Sequence, residues 1–266
     1  MDFLVIGSSI AFIAYLLATI AILSRLFHPD GPNLKLALGF AVVAIISHFI
    51  NEFQLVYNQV VINFSLPNVI SLVSLIITFT ISVVALRSKV NLLLPVIYGF
   101  ASIWQLVLIF IPKVETIPLV TEKIILVSHI SIALIAYCIL IIATLYAFQV
   151  TYINMKLKKK NLTAVVHLPP LMHVERQLFN ILAVGTVALF ASEIIGLFFL
   201  EGFFAKANIH KTVLSLVALV LYTVILFGHF KQGWRGHKVL VLIISASALL
   251  TLSYFGSRFV REFLLS

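Results

Sequence analysis

The chain has 266 residues, of which 62% are hydrophobic and only 10% are charged. A soluble domain is about half apolar and about a quarter charged, so this composition excludes a soluble protein and indicates an integral membrane protein. The formal net charge of +9 at pH 7 then reports mainly how the chain is oriented in the bilayer and gives no indication of nucleic-acid binding.

Eight apolar stretches follow one another, and each is long enough to cross a bilayer as a helix, since about 20 residues span the hydrocarbon core. We place them at residues 3–26, 34–53, 66–86, 92–111, 120–152, 178–200, 213–230 and 239–265. The first has no basic leader and no small-residue cleavage site, so it is predicted to be a retained helix rather than a signal peptide. The sequence therefore predicts an all-α polytopic bundle, with residues 1–266 forming one transmembrane domain.

The basic residues predict the orientation of this bundle. Successive connections between the helices lie on opposite sides of the membrane. Two thirds of the 18 lysines and arginines lie on the same side, which is the side of the long connection at residues 154–177. Cytoplasmic loops collect such residues, so this connection is predicted to be cytoplasmic and both termini extracytoplasmic.

Three of the eight histidines, His48, His129 and His229, lie inside or at the edge of predicted helices. An ionisable side chain is costly within the bilayer and is a functional candidate by default. Such an imidazole is expected to hold another polar group, a proton path, a metal ion or haem iron. The other five are interpreted as loop or interfacial residues: His28, His167, His173, His210 and His237.

The predicted helix directions, with a rise of about 1.5 Å per residue, place His48 and His129 in the outer half of the bilayer and His229 near the cytoplasmic face. Glu193 and Gln105 also fall in the outer half, so His48, His129, Glu193 and Gln105 are predicted to form one polar cluster. Two histidines and a carboxylate would also suit a metal ion, but they come from three helices, so spacing gives no evidence for one. Gln105 and Glu193 have the simpler alternative of hydrogen bonding between helices.

No catalytic motif accompanies these residues. The chain has no GxSxG, GxxxxGK or GxGxxG sequence, so hydrolase and nucleotide-binding chemistry are not indicated. Cys138 is the only cysteine, which excludes a CxxC redox pair and a thiolate metal cage. We expect no enzyme and assign no catalytic residue.

Several segments together carry a resemblance to a known family. "SHISIALIAYCILIIATLYAFQ" from Ser128, "PPLMHVERQLF" from Pro169, "GHFKQGWRGHK" from Gly228 and "SYFGSR" from Ser253 resemble the C-terminal half of the cytochrome c assembly family, the CcsA/ResC-type haem-handling membrane proteins. "ISHFINEF" and "SLPNVISLVSLIITF" are similar to the small bacterial inner membrane proteins of that family. The resemblance covers essentially the whole chain and implies a multi-pass protein of the bacterial cytoplasmic membrane that binds haem b.

The resemblance also implies roles for the three histidines. His129 matches the family's first external-side haem ligand, and His48 and His229 resemble its intramembrane pair. Neutral imidazole nitrogens would be the axial ligands of the iron. Because the predicted depths separate His48 from His229, the pair of His48 with His129 is the alternative.

Two family features are not found in the sequence. The tryptophan-rich segment should precede the seventh helix, where this chain reads "EGFFAKANIHKTVLSLVALVLY", and no second external histidine follows the eighth helix up to Ser266. We therefore expect haem carriage or sensing rather than haem-lyase activity. Two alternatives remain: a transporter or transporter-accessory subunit without haem, and a structural subunit of another membrane protein in which the histidines are only hydrogen-bonded.

Overall fold

The computed structural model describes residues 3–26, 28, 31–57, 65–111, 124–160, 168–200, 203–205, 208–256 and 259. All regular structure in these ranges is helical, which confirms the all-α polytopic bundle. The helices are α1 Phe3–Leu23, α2 Leu34–Tyr57, α3 Leu66–Ala85, α4 Leu94–Phe110, α5 Ile124–Lys158, α6 Leu171–Phe199, α7 Ile209–Gln232 and α8 His237–Thr251. Seven are apolar and long enough to cross a membrane, and α4 is shorter.

Helix ends differ most from the prediction where the chain is polar. α6 begins at Leu171, seven positions before the predicted residue 178, because its first two turns contain charged and polar residues that an apolar pattern does not detect. α8 gives way at Leu252–Gly256 to a π-helix, and most of the predicted helix beyond it lies outside the described residues. Pro67 and Pro95 lie in the first turns of α3 and α4, where an N–H group has no partner to lose.

The chain separates into two compact units. Residues 1–120 and 161–169 form the first unit, which contains α1 to α4, and residues 121–160 and 170–266 form the second, with α5 to α8 and the π-helix. The single domain expected for residues 1–266 stays a prediction, because the compactness of two units does not decide whether they fold together.

Small residues bring the helices of the first unit together. α1 packs against α2 and α4, and α1 and α2 bury a series of alanines: Ala11, Ala14, Ala18, Ala37, Ala41 and Ala44. Small side chains permit the close backbone approach that stabilises helix pairs in lipid. Asn51 of α2 adds hydrogen bonds from its Nδ2 to the carbonyl of Leu4 and the hydroxyl of Ser8 in α1.

The second unit is built on the long pair α5 and α6. Gly185 of α6 lies so close to α5 that an added Cβ would be 2.8 Å from the side chain of Leu140. Large apolar side chains such as Val187 and Phe198 remain exposed on α6, as expected for a helix surface that faces lipid tails rather than water.

Candidate functional site

His48 is completely buried in the first unit and both of its ring nitrogens have partners. Nε2 lies 2.9 Å from the hydroxyl of Ser71 in α3, and Nδ1 lies 3.3 Å from the hydroxyl of Tyr15 in α1. The ring also meets Tyr15 edge-on, with ring centroids 6.0 Å apart. Three helices of the first unit therefore meet at this imidazole.

Ser71 connects His48 to two further polar groups. Its hydroxyl donates to the Glu52 carboxylate, and it lies 3.4 Å from the Nε2 amide of Gln105, which donates to it. His48 and Gln105, two members of the predicted polar cluster, are thus brought together through Ser71.

The hydrogen bonds around His48 leave neither ring nitrogen free. Ser71 is the partner of Nε2 and Tyr15 is the partner of Nδ1. Tyr15 is also 3.1 Å from the hydroxyl of Thr78, which donates its own proton to the Leu75 carbonyl oxygen. A metal ion at His48 would therefore have to displace one of these hydrogen-bond partners.

Sequence reasoning missed Tyr15, Glu52 and Ser71. Glu52 follows His48 by four positions, one helical turn away, and its Oε1 is 3.6 Å from His48 Nε2. That spacing was the available signal for Glu52. Tyr15 and Ser71 lie far away in sequence, and only packing brings them to the ring.

His129 of the second unit has a different arrangement. Its Nδ1 lies 2.9 Å from the backbone carbonyl oxygen of Ser192 in α6, and a carbonyl only accepts, so Nδ1 carries the proton. Nε2 is then the lone-pair nitrogen, and it has no hydrogen-bond partner within the ranges that the structure describes. Phe203 packs edge-on against the ring, with centroids 6.2 Å apart. Metal-binding histidines are typically oriented by such an Nδ1–H bond to a carbonyl group.

Glu193 follows Ser192 in α6 and is buried, with 7% of its surface exposed. Ser215 of α7 is beside its carboxyl group, and its Oε2 has no hydrogen-bond partner among the described residues. Among the described residues, no hydrogen bond joins the Glu193 carboxyl group to His129. The predicted cluster of His48, His129, Glu193 and Gln105 takes residues from both units and stays a prediction.

His229 lies in the last turn of α7 and is held by the turn that follows. Its Nδ1 donates to the carbonyl oxygen of Trp234 at 3.1 Å, and Nε2 again has no partner in the described ranges. Gly233 adopts a left-handed φ of 65°, which glycine tolerates best. A Cβ on Gly228 would collide with the Trp234 ring, so the tight turn depends on glycine at this position.

One face of the His229 ring is closed by Phe179, with centroids 3.3 Å apart and an interplanar angle of 9°. Phe179 also lines a small pocket together with Arg235 and Gly236, and His229 is not among its lining residues. His229 therefore has the lone pair on Nε2 that a metal ligand needs, but one face of its ring is covered.

His129 and His229 lie at opposite ends of the second unit. His129 contacts Ser192 and His229 contacts Phe179, both on α6, and these positions are about 20 Å apart at a rise of ~1.5 Å per residue. Two axial nitrogens of one iron lie roughly 4 Å apart, since each metal–nitrogen bond is about 2 Å. These two histidines cannot ligate the same iron in this arrangement. In the described part of the chain, no group of three or more histidine, cysteine or acidic side chains is arranged to hold a metal ion.

Comparison with known proteins places the chain in a family. The cytochrome c assembly protein family model matches residues 36–265. The chain belongs to the cytochrome c assembly protein family. The matched region runs from α2 to beyond α8, so it contains all five candidate residues named from the sequence.

Relatives of this cytochrome c assembly family member agree with that assignment. The inner membrane protein YpjD of Escherichia coli K12 is 39% identical over 255 residues, covering 95% of this chain and 97% of that protein, and YpjD of Escherichia coli O157:H7 matches equally. A 28.8 kDa Azospirillum brasilense protein described as uncharacterized, in the nifR3-like 5′ region, is 32% identical over 141 residues, 52% of each chain. No solved structure matches. The chain is therefore a multi-pass inner membrane protein, as predicted.

Proposed function

We propose that this protein binds haem b in its second unit, with His129 Nε2 as an axial ligand of the iron. The observation that carries the proposal is the bond from His129 Nδ1–H to the Ser192 carbonyl at 2.9 Å. This bond leaves Nε2 as a neutral lone pair, which is the form that binds haem iron. Membership of the cytochrome c assembly family supports haem as the ligand.

The other two histidines fit this role less well. Iron binding by His48 would break its bond to Tyr15 or to Ser71 and leave a buried polar group unpartnered, which is costly. His229 has the right tautomer, but Phe179 covers its ring. We therefore propose His129 rather than His229 as the ligand of the single haem.

Haem would be cargo or a sensed ligand in this proposal. The stretch before and within α7 contains no tryptophan, so we propose no attachment of haem to an apocytochrome and no catalytic residue. The bilayer, haem and another membrane protein are the proposed partners. Both termini are proposed to be extracytoplasmic, which places His129 in the outer half of the membrane and His229 near its cytoplasmic face.

The test is the haem content of the purified protein. Wild type, His129→Ala and His173→Ala are expressed in haem-replete cells, purified in detergent and assayed by absorption and pyridine haemochrome. His173 is an exposed histidine in the first turn of α6 and is the matched control. We expect one b-type haem in wild type and His173→Ala and its loss in His129→Ala. A colourless wild type, or a His129→Ala protein that retains full haem, would overturn the proposal.

A further inference from the structure

The second unit carries a strongly basic surface at the end where α5 finishes and α6 and α8 begin. Three segments of the chain meet there, because Thr151 of α5, Glu175 of α6 and Arg235 of the turn before α8 line one small pocket. A Cβ added to Gly236 would also lie 4.0 Å from the side chain of Asn154. The end of α5, the start of α6 and the turn from α7 to α8 are therefore neighbours in the structure.

The charges on these three segments are almost all of one sign. Residues 150–160, 171–178 and 229–240 contain eight lysines and arginines, and Glu175 is the single acidic residue in those ranges. Seven of the eight cations are exposed and Lys156 is half-buried. We call these eight residues the basic surface: Lys156, Lys158, Lys159, Lys160, Arg176, Lys231, Arg235 and Lys238.

The acidic side chain beside this surface leaves it positive. Glu175 is buried, and its carboxylate lies 3.1 Å from Nε of Arg235. That contact uses one of the five N–H donors of the guanidinium group, and 57% of the Arg235 side chain remains exposed. The ion pair therefore holds Arg235 at the surface and neutralises one charge of eight.

Aromatic rings hold two of the cations at the level where the apolar helices end. The Lys238 ammonium group lies 3.4 Å from the centroid of the Trp234 ring, and that of Lys156 lies 5.4 Å from the centroid of the Tyr152 ring. Tryptophan and tyrosine are enriched at the boundary between lipid tails and water. Cations beside these two rings are thus placed at the depth of phospholipid head groups.

We propose that the basic surface binds the phosphate groups of anionic phospholipids. Basic residues between helices at a membrane interface recognise such head groups, because each cation attracts their negative charge. The positive-inside rule concerns how many basic residues a loop contains. It does not require cations from three segments to surround one pocket, as they do here. The proposal is independent of haem, which we place at His129.

The test is the thermal unfolding midpoint of the full chain in detergent, titrated with phosphatidylglycerol or with zwitterionic phosphatidylcholine. We expect phosphatidylglycerol to raise the midpoint more, since a ligand that binds the folded state stabilises it. Added salt should reduce the difference between the two lipids, because the cations are exposed to solvent and are screened. Detergent gives the lipids access to both ends of the protein, so the result does not depend on its orientation in the membrane.

The variant Arg176→Gln with Lys238→Gln removes two cations of the basic surface and retains the pair of Glu175 and Arg235. A cation near an anionic lipid surface contributes about a fivefold factor in affinity. The phosphatidylglycerol concentration that gives half of the maximal shift should therefore rise on the order of tenfold or more in this variant.

Two further variants are controls. Arg87→Gln with Lys89→Gln makes the same change of charge between α3 and α4 of the first unit, where both side chains are exposed, and is expected to respond to phosphatidylglycerol as wild type does. Arg176→Lys with Lys238→Arg keeps both charges of the basic surface and is also expected to respond as wild type does.

Three results would overturn the proposal. The first is an equal midpoint of the wild-type protein in phosphatidylglycerol and in phosphatidylcholine, which would favour an acidic protein as the partner of this surface. The second is an unchanged phosphatidylglycerol titration in Arg176→Gln with Lys238→Gln. The third is an equal loss of response in the variant of the first unit, which would show that net charge and not this surface is responsible.

Discussion

At the residue scale, the three membrane histidines differ in what their ring nitrogens contact. His48 has both nitrogens occupied, whereas His129 and His229 each donate from Nδ1 to a backbone carbonyl. The sequence could name all three as candidates because an imidazole in an apolar helix is unusual. It could not reveal their hydrogen-bond partners, because Tyr15, Ser192 and Trp234 lie in other helices or turns.

The turn that holds His229 gives a residue-scale prediction. Gly228→Ala places a Cβ against the Trp234 ring, and such overpacking typically costs about 1–3 kcal/mol. Gly39→Ala in α2 is the matched control, since an added Cβ there meets nothing within 4 Å. Alanine favours a helix over glycine by about 1 kcal/mol.

Thermal unfolding in detergent measures both variants. We expect a lower midpoint for Gly228→Ala and an equal or higher midpoint for Gly39→Ala. Equal midpoints for Gly228→Ala and wild type would contradict a tight packing of this glycine against Trp234.

At the element scale, apolar length predicted all eight helices but not their polar ends. The prediction began α6 at residue 178, whereas the helix begins at Leu171. Glu175, in that additional segment, is buried and pairs with Arg235 at 3.1 Å. The pair ties the start of α6 to the turn before α8. A pattern of apolar residues cannot reveal a helix segment held by an ion pair between distant parts of the chain.

This ion pair gives the element-scale prediction. Arg235 keeps 57% of its side chain exposed, so the interaction energy between the two side chains should be about 1 kcal/mol or less, as for surface pairs. A double-mutant cycle with Glu175→Gln, Arg235→Gln and the double variant isolates that energy. We expect it to decrease with added salt. A coupling energy that is insensitive to salt would show that water does not screen the pair.

At the scale of the whole molecule, two compact four-helix units have different chemistry. The first unit buries a connected chain of side-chain donors and acceptors around His48. The second unit holds His129 and His229 through backbone carbonyls and leaves their Nε2 atoms without partners in the described ranges. The family resemblance correctly predicted the fold and the membrane location. The division of the candidate residues between two units depends on tertiary packing and could not be deduced from the order of the helices.

The orientation of the molecule in the membrane is the third prediction. Lys159 follows α5 on the side predicted to be cytoplasmic, and Phe204 lies between α6 and α7 on the opposite side; both are exposed. In a Cys138→Ser background, Phe204→Cys should react with an impermeant maleimide in spheroplasts with an intact inner membrane. Lys159→Cys should react only after the membrane is permeabilised. The reverse pattern would place both termini in the cytoplasm and contradict the distribution of basic residues.

The central claim is that His129 Nε2 is a haem ligand, and its most direct measurement is rescue of the missing ligand by free imidazole. Haem-free His129→Ala is titrated with haemin while the Soret band is recorded, with and without imidazole in solution. We predict that the variant lacks the wild-type spectrum and that imidazole restores it, because the small molecule replaces the deleted ring. A wild-type spectrum for His129→Ala without imidazole would contradict the claim.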